Sequence, residues 1–144
     1  MRVAFFIVAL SGSATAATLW SIQDRTAVVT GGSKGLGRAI VEELLEQGCS
    51  VLTCARDITP LAELQESSDG RCVCVEADVS TASGRAKLLA AVEEKFGDGG
   101  LDILVNNVGT NLRKPSTDYT DEEYEMLHAT NQASYAYAAA RTLD

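Results

Sequence analysis

The chain has 144 residues, 46% of them hydrophobic and 22% charged, with a net charge of -8. That length holds one domain with a real core. The acidic balance, with no basic tract, argues against nucleic acid or anionic membrane surfaces as partners, because both require excess Lys and Arg.

At the N-terminus, Met1-Arg2, the apolar run Val3 to Leu10 and the small-residue stretch Ser11 to Ala16 have the three parts of a secretory signal peptide, with cleavage expected after Ala16. The run is too short to cross a bilayer as a helix. A misassigned start or a buried strand is the alternative reading. Residues 1–16 are therefore expected to be a leader and 17–144 the folded domain. A real leader sends the chain to the secretory pathway or an organelle reached through it; without one the chain is expected in the cytoplasm.

Beyond the leader, apolar runs alternate with helical patterns: strand 26–30, helix 35–47, strand 50–55, helix 59–67, strand 71–76, helix 81–96, strand 101–106 and helix 120–140. Such alternation predicts βαβ units and an α/β fold, a Rossmann-like doubly wound parallel sheet that ends after about four strands. Right-handed crossovers give the strand order 3-2-1-4, with a switch point between the first and fourth strands. Val28-Val29, Val51-Leu52 and Ile103-Leu104-Val105 are continuously apolar, as where helices cover both faces of a sheet.

The first strand runs into Thr30-Gly31-Gly32-Ser33-Lys34-Gly35-Leu36-Gly37, which opens a helix. This is the setting of a dinucleotide-binding turn: Gly31 ends the strand tightly, Gly35 lets backbone approach a pyrophosphate, and Gly37 lets the helix sit close to the sheet. Phosphates would meet free N–H groups and the positive end of the helix dipole. A βα turn without ligand is the bland alternative. Cys49, Cys54, Cys72 and Cys74 number four; disulfides are one reading, but Cys54, Cys72 and Cys74 fall in strand patterns, where a free Cys packs as a small hydrophobe.

The Thr-Gly-x-x-x-Gly-x-Gly spacing, Ala77-Asp78-Val79 after the third strand, Asn106-Asn107-Val108-Gly109 after the fourth and Asn131 in the last helix resemble the short-chain dehydrogenase/reductase family. The family usually has Ala where Val108 stands. Leu19-Trp20-Ser21, Thr53-Cys54-Ala55-Arg56 and Asn106 to Pro115 look like its tropinone-reductase-like branch, over residues 19–144. A complete member is longer, so the chain resembles roughly its first half.

The resemblance implies that Thr30, Gly31, Ser33, Lys34, Gly35, Leu36 and Gly37 bind cofactor, with Arg56, Asp78, Val79, Asn106, Asn107 and Gly109. The cofactor expected is NADP. An acid ending the second strand would bind a ribose 2′-OH, but here Arg56 stands there and can pair with a 2′-phosphate, with Lys34 as a second cation. A register shift would put Asp57 at the acidic position instead. Asp78 is similar to the family's adenine-contacting Asp; its plain alternative is a helix N-cap shared with Ser80.

Family chemistry is carbonyl–alcohol interconversion on a small molecule, with a Tyr proton donor, an assisting Lys, an orienting Ser and an Asn that helps hold a proton-relay water. Only Asn131 of that set has a counterpart here. Tyr119, Tyr124, Tyr135 and Tyr137 are followed four residues on by Glu123, His128, Ala139 and Arg141, never by Lys. His128 reads as a helix-surface residue, and no metal site is expected. The chain is thus expected to bind NADP(H) and to lack turnover alone; a non-catalytic binding or partner-capping module is the alternative. The family packs its Asn-bearing helix between subunits, so the small residues Ala136 to Ala140 imply self-association.

Overall fold

The computed structural model describes residues 21–97 and 100–133. Outside them lie the leader 1–16, Leu19-Trp20, and the stretch Ala136 to Ala140 with Tyr135, Tyr137 and Arg141.

Four strands, β1 (Thr26–Thr30), β2 (Ser50–Ala55), β3 (Cys72–Glu76) and β4 (Ile103–Val105), form one parallel sheet in the order β3-β2-β1-β4. This is the order that right-handed crossovers predict. Val28 stands opposite Leu52 on one side and Leu104 on the other, and Leu52 in turn opposite Val73.

Successive strand residues point to opposite faces, so a run apolar throughout feeds two cores. On one face Ala27, Val29 and Val51 pack with Val41, Leu44 and Leu45 of α1 (Gly35–Glu46). On the other, Val28, Leu52 and Val75 pack with Leu88 of α3 (Ala82–Phe96). The short α2 (Ala62–Ser67) follows a 3-10 turn at Thr59–Leu61 and adds Leu64 to the α1 face. Full burial of a side chain such as Leu52 contributes about 1.5–3 kcal/mol.

β4 is shorter than the apolar run suggests. At its start the Asp102 carboxylate accepts from the Thr26 N–H at 2.9 Å and from Arg25 at 2.7 Å, which takes residue 102 out of the ladder. At its end the Asn107 N–H donates to the Thr30 hydroxyl. Ile103, Leu104 and Val105 are only half-buried, because among the described residues β4 pairs with β1 alone.

The last helical pattern divides in two. α4 (Asp121–His128) opens on a capping box between Thr120 and Glu123. Glu123 also pairs with Lys114. A π-helical turn, Ala129–Ala133, then follows; such turns often sit at functional sites. Among the described residues, no helix is long and apolar enough to cross a membrane.

Candidate functional site

The Gly-rich loop is shaped by backbone geometry at Gly31 and Gly35 and by close packing at Gly32 and Gly37. Gly31 turns at φ +74°, a conformation that costs an L side chain dearly, and its N–H donates to the Cys54 carbonyl at 2.8 Å. A Cβ on Gly37 would lie 2.3 Å from the Gly31 carbonyl oxygen and 2.4 Å from Asn107 Nδ2, so α1 approaches the sheet closely. One on Gly32 would lie 2.1 Å from Thr53 Oγ1. Gly35 is different: space beside it is open, and its φ of +57° is what calls for glycine.

α1 then begins without a cap. Lys34 occupies the N-cap position with extended backbone, its side chain makes no capping bond, and the first turn holds no acid. The first N–H groups of a helix have no partner within it and carry its positive partial charge. An anion is the natural partner for such an end.

Thr30 and Asn107 join β1 to the segment after β4. The buried Thr30 hydroxyl accepts from the N–H groups of Asn107 at 3.0 Å and Val108 at 3.2 Å. In return, Asn107 Nδ2 donates to the Thr30 carbonyl at 2.9 Å and the Gly31 carbonyl at 3.2 Å.

Above this joint lies a cavity of about 660 Å³ at the carboxyl ends of the strands, where open α/β sheets take their ligands. Gly31, Ser33 and Lys34 line it from the loop, Arg56 from the end of β2, Asp78 and Val79 from the end of β3, and Asn107 and Gly109 from beyond β4. The other expected residues stand back from the cavity. Thr30 and Gly37 support its floor, Gly35 shapes the turn, and Leu36 points away with 68% of its surface exposed. Asn106 turns its amide oxygen inward, where it is buried without a partner among the described residues.

Arg56 is exposed at the rim, and its charge helps hold the Asp78 carboxyl below the usual carboxylate range. The largest cause there is the Ser80 hydroxyl, which donates to Asp78 Oδ1 at 2.7 Å; burial works against it, and the Ser80 N–H adds to it. The N-cap alternative for Asp78 and Ser80 is corrected, because Thr81 caps α3, its hydroxyl accepting from the Gly84 N–H at 3.0 Å. Asp57 turns its carboxylate to Thr59, whose hydroxyl first and N–H, at 2.9 Å, next lower its pKa, and it does not line the cavity. The free Cys54 lines the inner wall; burial pushes its thiol up to about 11, so it is a neutral, inert surface.

Asn131 lies in the π-helical turn. Its Oδ1 accepts from the Thr110 N–H at 2.8 Å and its Nδ2 donates to the Thr110 carbonyl at 2.9 Å. Its neighbour Thr130 and, one helical turn earlier, Met126 reach the cavity instead. These two, with Thr110 and Ser80, are lining residues that sequence reasoning missed. The four-residue spacing of Met126 and Thr130 was the available signal.

A profile of the short chain dehydrogenase family matches residues 25–144. A tropinone reductase homolog of Arabidopsis thaliana is 50% identical over 121 residues, 80% of this chain and 44% of the relative. One from Datura stramonium is 42% identical over 120 residues, 81% of this chain and 44% of the relative. Among solved structures, L-sorbose reductase from Gluconobacter frateurii, complexed with NADPH and L-sorbose, superposes with a TM-score of 0.78 at 31% identity, over 85% of this chain and 48% of that one. The glucose/ribitol dehydrogenase from Brucella melitensis gives 0.75 at 30% identity, over 85% and 52%. The chain thus spans about half the length of the proteins it matches.

Proposed function

The chain belongs to the short-chain dehydrogenase family, and on that footing we propose that its cavity binds NADP(H) in preference to NAD(H), as the cofactor-binding part of a reductase that interconverts small carbonyl compounds and alcohols. The observation that carries this is the placing of charge at the rim. Arg56 and Lys34 both line the cavity, while Asp57, the acid that would favour a bare ribose, is turned to Thr59. A guanidinium there offers forked N–H donors to a 2′-phosphate.

The remaining residues fit such a ligand. The uncapped start of α1 and the backbone of Gly31 to Gly35 suit a pyrophosphate. Asp78, kept ionised, accepts hydrogen bonds beside Val79, an apolar neighbour for a purine ring. When bound, the nicotinamide supplies or accepts hydride. Asn107 and Thr30 hold the floor in register, and Asn131 fixes Thr110 at the far wall.

The family's proton donor and its Lys have no counterpart among these 144 residues. The chain by itself is therefore assigned binding without turnover. Titrating the chain with NADPH and NADH separately tests this reading. NADPH is expected to bind at least about tenfold more tightly, worth about 1.4 kcal/mol, with no ketone reduced; equal affinities would remove the NADP assignment, and reduction of a ketone would remove the claim of binding alone.

A further inference from the structure

We infer that Cys72 and Cys74 form an oxidisable dithiol, a modification site at the outer edge of the sheet that hydrogen peroxide closes to an intrastrand disulfide and a small thiol reopens. Residues two apart on a strand project from the same face, and these two sulfurs stand 3.8 Å apart in an S–H···S contact. Cys72 is buried in the α1-side core, whereas Cys74, packed against that core, is half-buried. The pair thus has an inner and a reachable sulfur.

β3 is the edge strand, bonded to β2 alone among the described strands. The N–H groups of Cys72 and Cys74 go to side chains, to Ser68 Oγ at 3.0 Å and Gln65 Oε1 at 2.8 Å. A local pucker here would disturb two side-chain bonds and not a second ladder. At about 3.3 Å per residue, the two Cα atoms of a strand pair lie about 6.6 Å apart, near the long end of the disulfide range. The bond therefore forms with strain, and strained disulfides are the easily reduced ones.

The contact between the thiols favours loss of one proton from the pair and opposes loss of the second, with the Cys72 thiol lowered and the Cys74 thiol raised by the same contact. The S–H···S contact, in which either sulfur can donate, lowers the Cys72 pKa against the effect of burial, with Arg38 and Lys95 adding positive charge. Once one proton leaves, the other is shared between the sulfurs, so the anion is available to the outer one. Cys74 sulfur attacks the peroxide O–O bond, giving a sulfenic acid and water. Cys72 sulfur then attacks the sulfenic sulfur, and the expelled hydroxide takes up the remaining proton. Two thiols and one hydrogen peroxide become one disulfide and two waters.

Arg71 and Arg85 bracket both thiols in one tryptic peptide, residues 72–85. Cells expressing the full chain are pulsed with hydrogen peroxide, their thiols alkylated, and that peptide weighed. It is expected to appear unalkylated and lighter by two hydrogens, and to take two alkyl groups when dithiothreitol precedes alkylation. Cys74→Ser should abolish the light form and Cys54→Ser leave it; the wild-type result stands even where a variant fails to fold. A peptide still doubly alkylated after the pulse, a Cys74 carrying extra oxygens with no disulfide, or a link to Cys49 or to a second chain would overturn the assignment. So would purified chain that reacts no faster folded than in urea, since proximity in sequence would then be the whole cause.

Discussion

The Asn131 side chain closes a ring of two hydrogen bonds on the backbone of Thr110, one through its oxygen at 2.8 Å and one through its nitrogen at 2.9 Å. One amide hydrogen and one lone pair remain for anything else. The π-helical turn and the segment beyond β4 are thereby held as one piece. Asn131→Ala removes both bonds at a partly exposed site, so a loss of about 1–2 kcal/mol is expected in urea unfolding. Asn131→Asp keeps the acceptor and loses the donor, and should fall between; a neutral Asn131→Ala would show that the ring holds nothing.

Arg56→Ala should weaken NADPH binding by about tenfold or more and leave NADH nearly unchanged, because the side chain makes no hydrogen bond among the described residues that its loss would break. Fluorescence titration of both cofactors reads the difference. Equal loss for both would mean that Arg56 serves the loop and not a phosphate.

Gly37→Ala should be worse than Gly35→Ala. At 37 a methyl group meets the Gly31 carbonyl and Asn107 Nδ2, groups that hold the cavity floor, and the strain should cost about 1–3 kcal/mol and weaken cofactor binding. At 35 only the positive φ is opposed, at about 1–2 kcal/mol. Thermal melts of the two variants give the order directly, and a reversed order would contradict the packing described.

Thr30→Val keeps shape and removes an acceptor that serves two N–H groups. Leaving those donors unsatisfied in a buried place should cost about 1–3 kcal/mol. Hydrogen exchange offers the sharper reading: the amides of Asn107 and Val108 should exchange faster, while that of Leu52 keeps its protection unless the whole sheet is loosened.

The Asp102 carboxyl is held below the usual range by the Thr26 N–H first and Arg25 next. A depressed folded pKa adds stability that is present above the unfolded value of about 3.9 and disappears as pH falls through the folded one. Asp102→Asn should therefore be less stable than wild type at neutral pH, with the gap narrowing below about pH 4. Urea midpoints across that range would show it; a gap constant with pH would exclude the charge as its cause.

What the sequence disclosed was whatever depends on near neighbours or on counting. The glycine spacing announced the tight turn at Gly31, whereas Gly35 was expected for the approach of a pyrophosphate and its positive φ was not foreseen; Arg56 was counted from their position. Gly32 was not legible, since its demand comes from Thr53, a residue on the adjacent strand. Nor was the bond from the Thr59 N–H to Asp57 legible, since it depends on how the chain turns after β2. Thr81 rather than Asp78 as the cap of α3 is a shift of three residues that periodicity cannot resolve. Met126 and Thr130 were hidden for another reason: a side chain facing a cavity looks, in sequence, like one facing a core.

The joint between Thr30 and Asn107 links positions 77 apart in the chain. β1 lies between β2 and β4, so its second edge stays open until nearly everything before Asn107 has been made and threaded into place. Closing a loop of that size costs entropy before any contact rewards it, and topologies of this kind fold slowly. The β1–β2–β3 side can assemble from neighbours as they emerge, whereas the cavity floor cannot. Among the four described strands the cavity floor is then the last part to form, and a molecule that binds there would act as a late fastener on that part of the sheet.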